Sequence, residues 1–263
     1  MHIQNQIRDF LTSTTSKVLI ITGSAGTGKT SLIKEIVTYL NSHQLDYYLL
    51  APTGRAAHNL QNHVFEETEI APTTIHSFLY KKDDESPQDI PEILKFSVVE
   101  EKVEDKAVVI IDEASMLSHE ATSEKDFLQF GSGNLFKDLT DHLDLLNSNR
   151  KLILVGDPSQ LPPINVSKAE VLNIEYLQQY FETNNIEHIH LNEVHRQLQD
   201  SAILKSSTAL RDKLEKKDFL QLPIDIDYDE IQHLNMDDAL EKYLWDYGNN
   251  SIFLSYTNKD VHN

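Results

Sequence analysis

Short apolar, β-branched runs recur along the chain at residues 17–22, 46–51, 107–111 and 151–155, and each reads as a strand. The run at 107–111 lacks the alternation of a half-exposed strand, which suits a parallel sheet covered on both faces. Between the runs the period changes from two to that of a helix. Leu32, Ile33, Ile36, Val37 and Leu40 share one face, as do Ile3, Ile7, Phe10 and Leu11 ahead of the first strand. A helix over 134–146 would carry Leu135, Leu139, Leu143 and Leu146 inward, and a later one holds Ile203, Leu204, Leu210 and Leu214. Residues 186–191 alternate and read as a further strand. Strands separated by helices predict an α/β fold, a parallel sheet with helices on both faces.

Some stretches fall outside that rhythm. Residues 81–87 form a polar loop and 93–103 look like hairpin strands, so 81–105 reads as a small segment inserted into the main domain. Residues 118–150 are mostly polar, with Gly131-Ser132-Gly133 as a loop. Residues 223–241 are acid-rich and read as a solvated face, with Ile224, Ile226 and Tyr228 alternating with acids as on an exposed edge strand. A last strand is expected to start at Ser251.

The first strand runs into Gly23-Ser24-Ala25-Gly26-Thr27-Gly28-Lys29-Thr30, which fits the pattern of glycine, four residues, then Gly-Lys-Ser/Thr. The order is strand, glycine loop, helix. In that order successive backbone N–H groups and the positive end of the helix cradle phosphate. Lys29 would reach the β- and γ-phosphates and the Thr30 hydroxyl would take a place on Mg²⁺. The expected ligands are a nucleoside triphosphate and Mg²⁺.

Three later strand tips carry polar residues. Asp112 and Glu113 end the 107–111 run, where the first acid would hold the Mg²⁺ shell and the second would take a proton from attacking water, unless the pair only caps a helix. Gln160 follows the 151–155 strand, as a γ-phosphate sensor or an ordinary loop residue. Arg196 follows the 186–191 strand, either stabilising charge on the transferred phosphoryl or forming a surface ion pair. Pro52-Thr53-Gly54 and Pro72-Thr73-Thr74 are capped loop-to-helix joints of the kind that line clefts in open α/β sheets.

Composition changes this picture in one respect. The formal net charge of −19 lacks the basic footprint of most nucleic-acid binders, so any such contact has to be local. The absence of cysteine removes disulfides and thiolate metal sites. No run approaches a membrane span, and no secretory signal opens the sequence, so the expectation is a cytoplasmic protein with no membrane partner.

Taken in order, the motifs GSAGTGKT at 23–30, APTGRAA at 51–57, TTIHSFL at 73–79, VVIIDEASM at 108–116, GDPSQLPPI at 156–164 and EVHRQ at 193–197 resemble those of superfamily 1 DNA helicases, in the RecD-like branch that includes the phage Dda helicase. The resemblance covers nearly the whole chain. It implies a RecA-like P-loop NTPase domain over 1–250, with 251–263 resembling the start of a second RecA-like domain and the chain ending as if cut there. It implies ATP held by Gln6 at the adenine and by Gly23, Ala25, Gly26, Thr27, Gly28, Lys29 and Thr30 at the phosphates, with Mg²⁺ on Thr30 and Asp112. Lys29, Asp112, Glu113, Gln160 and Arg196 are the implied catalytic set, Gln160 as γ-phosphate sensor and Arg196 as arginine finger. Thr53, Arg55, Thr74 and His76 match positions that touch single-stranded DNA. The implied activity is ATP-driven 5′ to 3′ translocation by a monomer, without unwinding by this chain alone. A P-loop kinase acting on a small molecule and a nucleotide-gated regulatory module are the alternatives.

Overall fold

The computed structural model describes residues 2–68, 70–83, 94–121, 128–163, 166, 168–192, 201–216, 218, 220, 224 and 229–245. Two compact units make up the chain, residues 1–196 and 197–263.

The first unit opens with α1 (His2–Thr12), β1 (Val18–Gly23), α2 (Lys29–Ser42), β2 (Tyr47–Ala51), α3 (Gly54–Val64), β3 (Thr73–Thr74), α4 (Ile75–Leu79) and β4 (Tyr80–Lys82). It continues with β5 (Leu94–Val98), β6 (Val108–Ile111), β7 (Leu128–Phe130), α5 (Leu135–Leu143), β8 (Lys151–Gly156), α6 (Ile174–Tyr180) and β9 (Ile186–Leu191). The main sheet has the order β3-β2-β6-β8-β1-β9, and every neighbouring pair is parallel. The expected α/β architecture is present.

The reason lies in the alternation of side chains along each buried strand. On β1, Val18 and Ile20 face one core while Leu19 and Ile21 face the other; on β8, Leu152 and Leu154 oppose Ile153 and Val155 in the same way. One core lies under α1, α2 and α3, centred on Phe10, Ile33, Ile36 and Leu40. The other gathers Phe136, Leu139 and Leu143 of α5 with Leu177 of α6. Strands covered on both faces have no polar side to offer, so continuous apolar runs were required. Full burial of each such side chain stabilises by roughly 1.5–3 kcal/mol.

Two buried cations lock the base of β8. Lys151 Nζ donates to the carbonyls of Ser13 and Ser16, each at 2.8 Å, fixing the connection from α1 to β1. Arg150 donates through Nε to Val103 O at 2.9 Å and through Nη1 to Leu143 O at 3.0 Å, tying the approach to β6 to the end of α5.

The strand material within 81–105 pairs with a strand from further along the chain. β5 pairs antiparallel with β4 and parallel with β7, making a separate three-stranded sheet. β7 lies in the stretch read as polar and loop-like. Buried Asp138 on α5 anchors this sheet, accepting from Tyr80 Oη at 2.7 Å and from Ser132 N–H at 2.9 Å. The expected helix over 134–146 starts at its Asn134 cap but ends at Leu143, because Asp144 turns left-handed at φ 44°. Leu146, expected inward, is therefore exposed.

The second unit contributes α7 (Ala202–Lys216) and α8 (Met236–Trp245). α8 falls in the acid-rich stretch read as a solvated face, with Asp237 and Asp238 in its first turn, where carboxylates favour a helix start. The edge strand expected around Ile226 and Tyr228, and the strand expected from Ser251, lie outside the described residues. No helix among the described residues is long and apolar enough to cross a membrane.

Candidate nucleotide site

The C-terminal ends of β1, β8 and β6 lie side by side. Thr22 is level with Gly156 across β1 and β8, and Ile111 is level with Leu154 across β6 and β8. The phosphate loop, the Asp157–Gln160 turn and the Asp112–Glu113 pair thus emerge from one edge of the sheet. In open α/β sheets this is the edge that binds ligands.

The loop has the conformation that its glycines permit. Gly26 and Gly28 are left-handed at φ 83° and 88°, and Gly28 caps α2 without a side chain, so the amide end of the helix meets the loop directly. Gly23 is required for a different reason. A Cβ there would lie 2.5 Å from Thr27 Oγ1 and 2.9 Å from Leu191 Cβ. Thr27 is itself buried and closes the loop by donating to Ser24 O at 2.8 Å. Lys29 Nζ donates to Gly23 O at 2.8 Å and Ser24 O at 3.0 Å, so its ammonium lies over the loop mouth. Ala25 lies within the loop, and Thr30 is half-buried in the first turn of α2.

Asp112 is buried at the tip of β6 and accepts the Glu113 N–H at 3.0 Å. Burial, reinforced by the neighbouring Glu113 charge, pushes its carboxyl up to about 6 from the ordinary 3.8, against the pull of Lys29 and His63. Glu113 has φ 52° and ψ 38°, a left-handed conformation that costs a residue with a Cβ about 1–2 kcal/mol. Its Oε2 is buried with no hydrogen-bond partner. The pair does not cap an α-helix; a one-turn helix, Ala114–Met116, follows it. Strain together with an orphaned carboxylate oxygen is what a site awaiting water or ligand presents.

Gln160 is connected to the acids. Ser115 Oγ donates to Gln160 Oε1 at 3.3 Å, and the Gln160 N–H bonds Asp157 O at 3.1 Å. Asp157 is buried and accepts the Ser159 N–H at 2.9 Å, which shapes the turn. A Cβ on Gly156 would lie 2.8 Å from Leu172 Cδ1 and 3.1 Å from Ser115 N, so the β8 tip and the turn after Glu113 are in backbone contact. Ser115, inside the 108–116 motif, has a role that its residue type and position do not announce, since its partner Gln160 lies on another strand tip.

The residues fit a Mg²⁺–nucleotide. Mg²⁺ takes one or two protein oxygens and fills its octahedron with phosphate oxygens and water, a demand that Thr30 and Asp112 meet. No cluster of three or more His, Asp or Glu able to hold a metal ion by itself occurs among the described residues.

The remaining expected residues are scattered. Gln6 lies half-buried on α1. Ala51 pairs with Thr74, so the joints holding Thr53 and Thr74 emerge together at the β2–β3 end of the same edge. Thr53 Oγ1 accepts the Ala56 N–H at 3.2 Å and Thr74 Oγ1 accepts the Ser77 N–H at 3.1 Å, so both hydroxyls cap helices. Arg55 is exposed. His76 packs edge-on against Phe130 at 4.9 Å, and burial holds its imidazole below the usual histidine range. Arg196 lies outside the described residues.

Residues 6–165 match the AAA domain family. Among curated relatives, the ATP-dependent DNA helicase Pif1 of Psychrobacter sp. (strain PRwf-1) is 28% identical over 70% of this chain and 26% of its own length. The RecBCD enzyme subunit RecD of Buchnera aphidicola subsp. Schizaphis graminum is 27% identical over 64% of this chain and 26% of its own. The chain thus spans about a quarter of the length of these two relatives. The crystal structure of Pif1 helicase from Candida albicans superposes with a TM-score of 0.51 at 20% identity, covering 99% of this chain and 51% of that one, a likeness of fold. With the phosphate loop, the acid pair and the Gln160 turn on one sheet edge, the chain belongs to the AAA domain family.

Proposed function

We propose that the chain is the ATP-hydrolysing motor domain of a DNA helicase that tracks along single-stranded DNA, 5′ to 3′, as a cytoplasmic monomer. The observation that carries this reading is the convergence of the phosphate loop, Asp112–Glu113 and Gln160 on one sheet edge, with Ser115 joining acid turn to sensor turn.

In this reading the loop amides and Lys29 grip the β- and γ-phosphates, and Gln6 reads the base. Thr30 and Asp112 hold Mg²⁺, which when bound neutralises charge on the phosphates. Glu113 orients and deprotonates the attacking water through the oxygen that has no protein partner. Gln160 contacts the γ-phosphate, so a change there passes through Ser115 to the acid turn. Arg196 supplies positive charge to the transferred phosphoryl. Thr53, Arg55, Thr74 and His76 form the DNA-facing rim, where hydroxyls and a local charge rather than bulk positive charge meet the strand. Residues 251–263 would begin a second RecA-like domain.

The test is ATP hydrolysis by the chain with and without single-stranded DNA. Stimulation by DNA, lost in Arg55→Ala with basal hydrolysis kept, is the expected result. Hydrolysis indifferent to DNA would overturn the motor reading, and phosphoryl transfer to a small acceptor would replace it with a kinase.

A further inference from the structure

β9 pairs with β1 along one side, and no second partner strand occurs among the described residues. Its place in the sheet is set by β1, the strand that runs into the phosphate loop. Backbone pairing is not the only tie at this point. Thr22, the residue before Gly23, is buried to 3% exposure, and its Oγ1 lies 2.7 Å from His188 Nε2 and 2.8 Å from His190 Nδ1.

A hydroxyl has one proton to give and two lone pairs to accept with, so Thr22 Oγ1 can serve both rings at once, donating to one and accepting N–H from the other or accepting from both. The three side chains form a continuous hydrogen-bonded bridge across the two strands. His188 and His190 share one face of β9 and Thr22 is level with His190, so the strand register brings both exposed rings to one hydroxyl. His188 also lines a cavity of about 420 Å³ together with Gln160, Lys168 and Glu175. The bridge therefore touches the space behind the sensor turn as well as the first residue of the loop.

We propose that Thr22, His188 and His190 are positioning residues, a bridge that holds the root of the phosphate loop against β9 and so sets the geometry of phosphoryl transfer. The proposal rests on the ATPase reading above. None of the three belongs to the phosphate loop, the acid pair or the Gln160 turn. The grip on ground-state phosphates comes from the loop and α2, which the bridge does not form, whereas contacts made in the transition state depend on how β1, β9 and the Gln160 turn are aligned. Small misplacements of such groups cost far more in rate than in affinity. Loss of the bridge should thus lower kcat and spare KM.

The experiment measures kcat and KM for ATP in the full chain, alongside the thermal midpoint. Thr22→Val keeps the shape and removes the hydroxyl; kcat is expected to fall about 10-fold with KM changed less than about 3-fold. Thr22→Ser, which restores the hydroxyl, should recover kcat to within about 2-fold of the parent. His190→Ala should lower kcat by itself and add little in combination with Thr22→Val, since both break one bridge. Should Thr22→Val fail to fold, His188→Ala and His190→Ala, at exposed rings, decide the matter by the same criterion. Unchanged kcat in Thr22→Val, equal losses in Thr22→Val and Thr22→Ser, or additive losses with His190→Ala would overturn the bridge while leaving the ATPase reading in place. No hydrolysis by the parent chain would instead overturn both at the first measurement.

Discussion

Asp112→Asn should make the protein more stable while disabling the proposed Mg²⁺ site. Asp112 is 8% exposed, and burial with the adjacent Glu113 charge moves its titration from 3.8 to about 6. At 1.36 kcal/mol per decade, holding the ionised carboxylate in the folded apo protein costs about 3 kcal/mol at pH 7.5. The sign follows from proton counting. Between the two values the folded state binds more protons than the unfolded chain, so stability falls as pH rises from about 4 to about 6 and levels off above. Asparagine keeps the oxygen that accepts the Glu113 N–H but has no charge to bury. The variant is therefore expected to be about 1–3 kcal/mol more stable at pH 7.5, the lower end allowing for the amide's own desolvation. That gain should shrink by roughly 1 kcal/mol at pH 5. Urea unfolding followed by circular dichroism at pH 5, 6 and 7.5, without nucleotide or Mg²⁺, measures the gap. Parallel pH dependences in parent and variant would refute the reasoning, because they would mean that Asp112 titrates normally in the folded state.

Gly156→Ala should lower stability by about 1–3 kcal/mol, since the added methyl meets Leu172 Cδ1 at 2.8 Å with the Ser115 backbone behind it; thermal denaturation measures this. Tyr80→Phe removes one of two donors to buried Asp138 and should cost about 1–3 kcal/mol in the same assay, with ATP affinity unchanged. Gly23→Ala should abolish binding of a fluorescent ATP analogue, because Thr27 Oγ1 stands 2.5 Å from the new methyl and the loop has to open to admit it.

Where the sequence was sufficient, the reason was local. The runs of β1, β6 and β8 are apolar on both faces, and GSAGTGKT determines the loop because only glycine tolerates the conformations at 26 and 28. What could not be read depended on partners far away in the chain. Strand β7 is three residues whose identity as a strand comes from pairing with β5. The end of α5 at Asp144 follows from a left-handed turn that nothing in the leucine spacing announces, so Leu146 was expected inside. The place of β8 between the loop strand and the acid strand is a matter of crossover order, which periodicity does not encode. The placement of Asp112, Glu113 and Gln160 at strand tips is legible from motif position. Their coupling through Ser115, and the bridge from Thr22 to His188 and His190, appear only when the strands are set in register.

In the proposed function this sheet edge binds and hydrolyses ATP, with Glu113 activating water. Single-turnover hydrolysis of radiolabelled Mg²⁺–ATP, paired with equilibrium binding of the same nucleotide, tests it in the parent chain and in Glu113→Gln. Both proteins are expected to bind ATP with affinities within about 3-fold, and Glu113→Gln to hydrolyse it at least about 100-fold more slowly. Equal hydrolysis by the two, or a parent chain that does not bind ATP, would contradict that function.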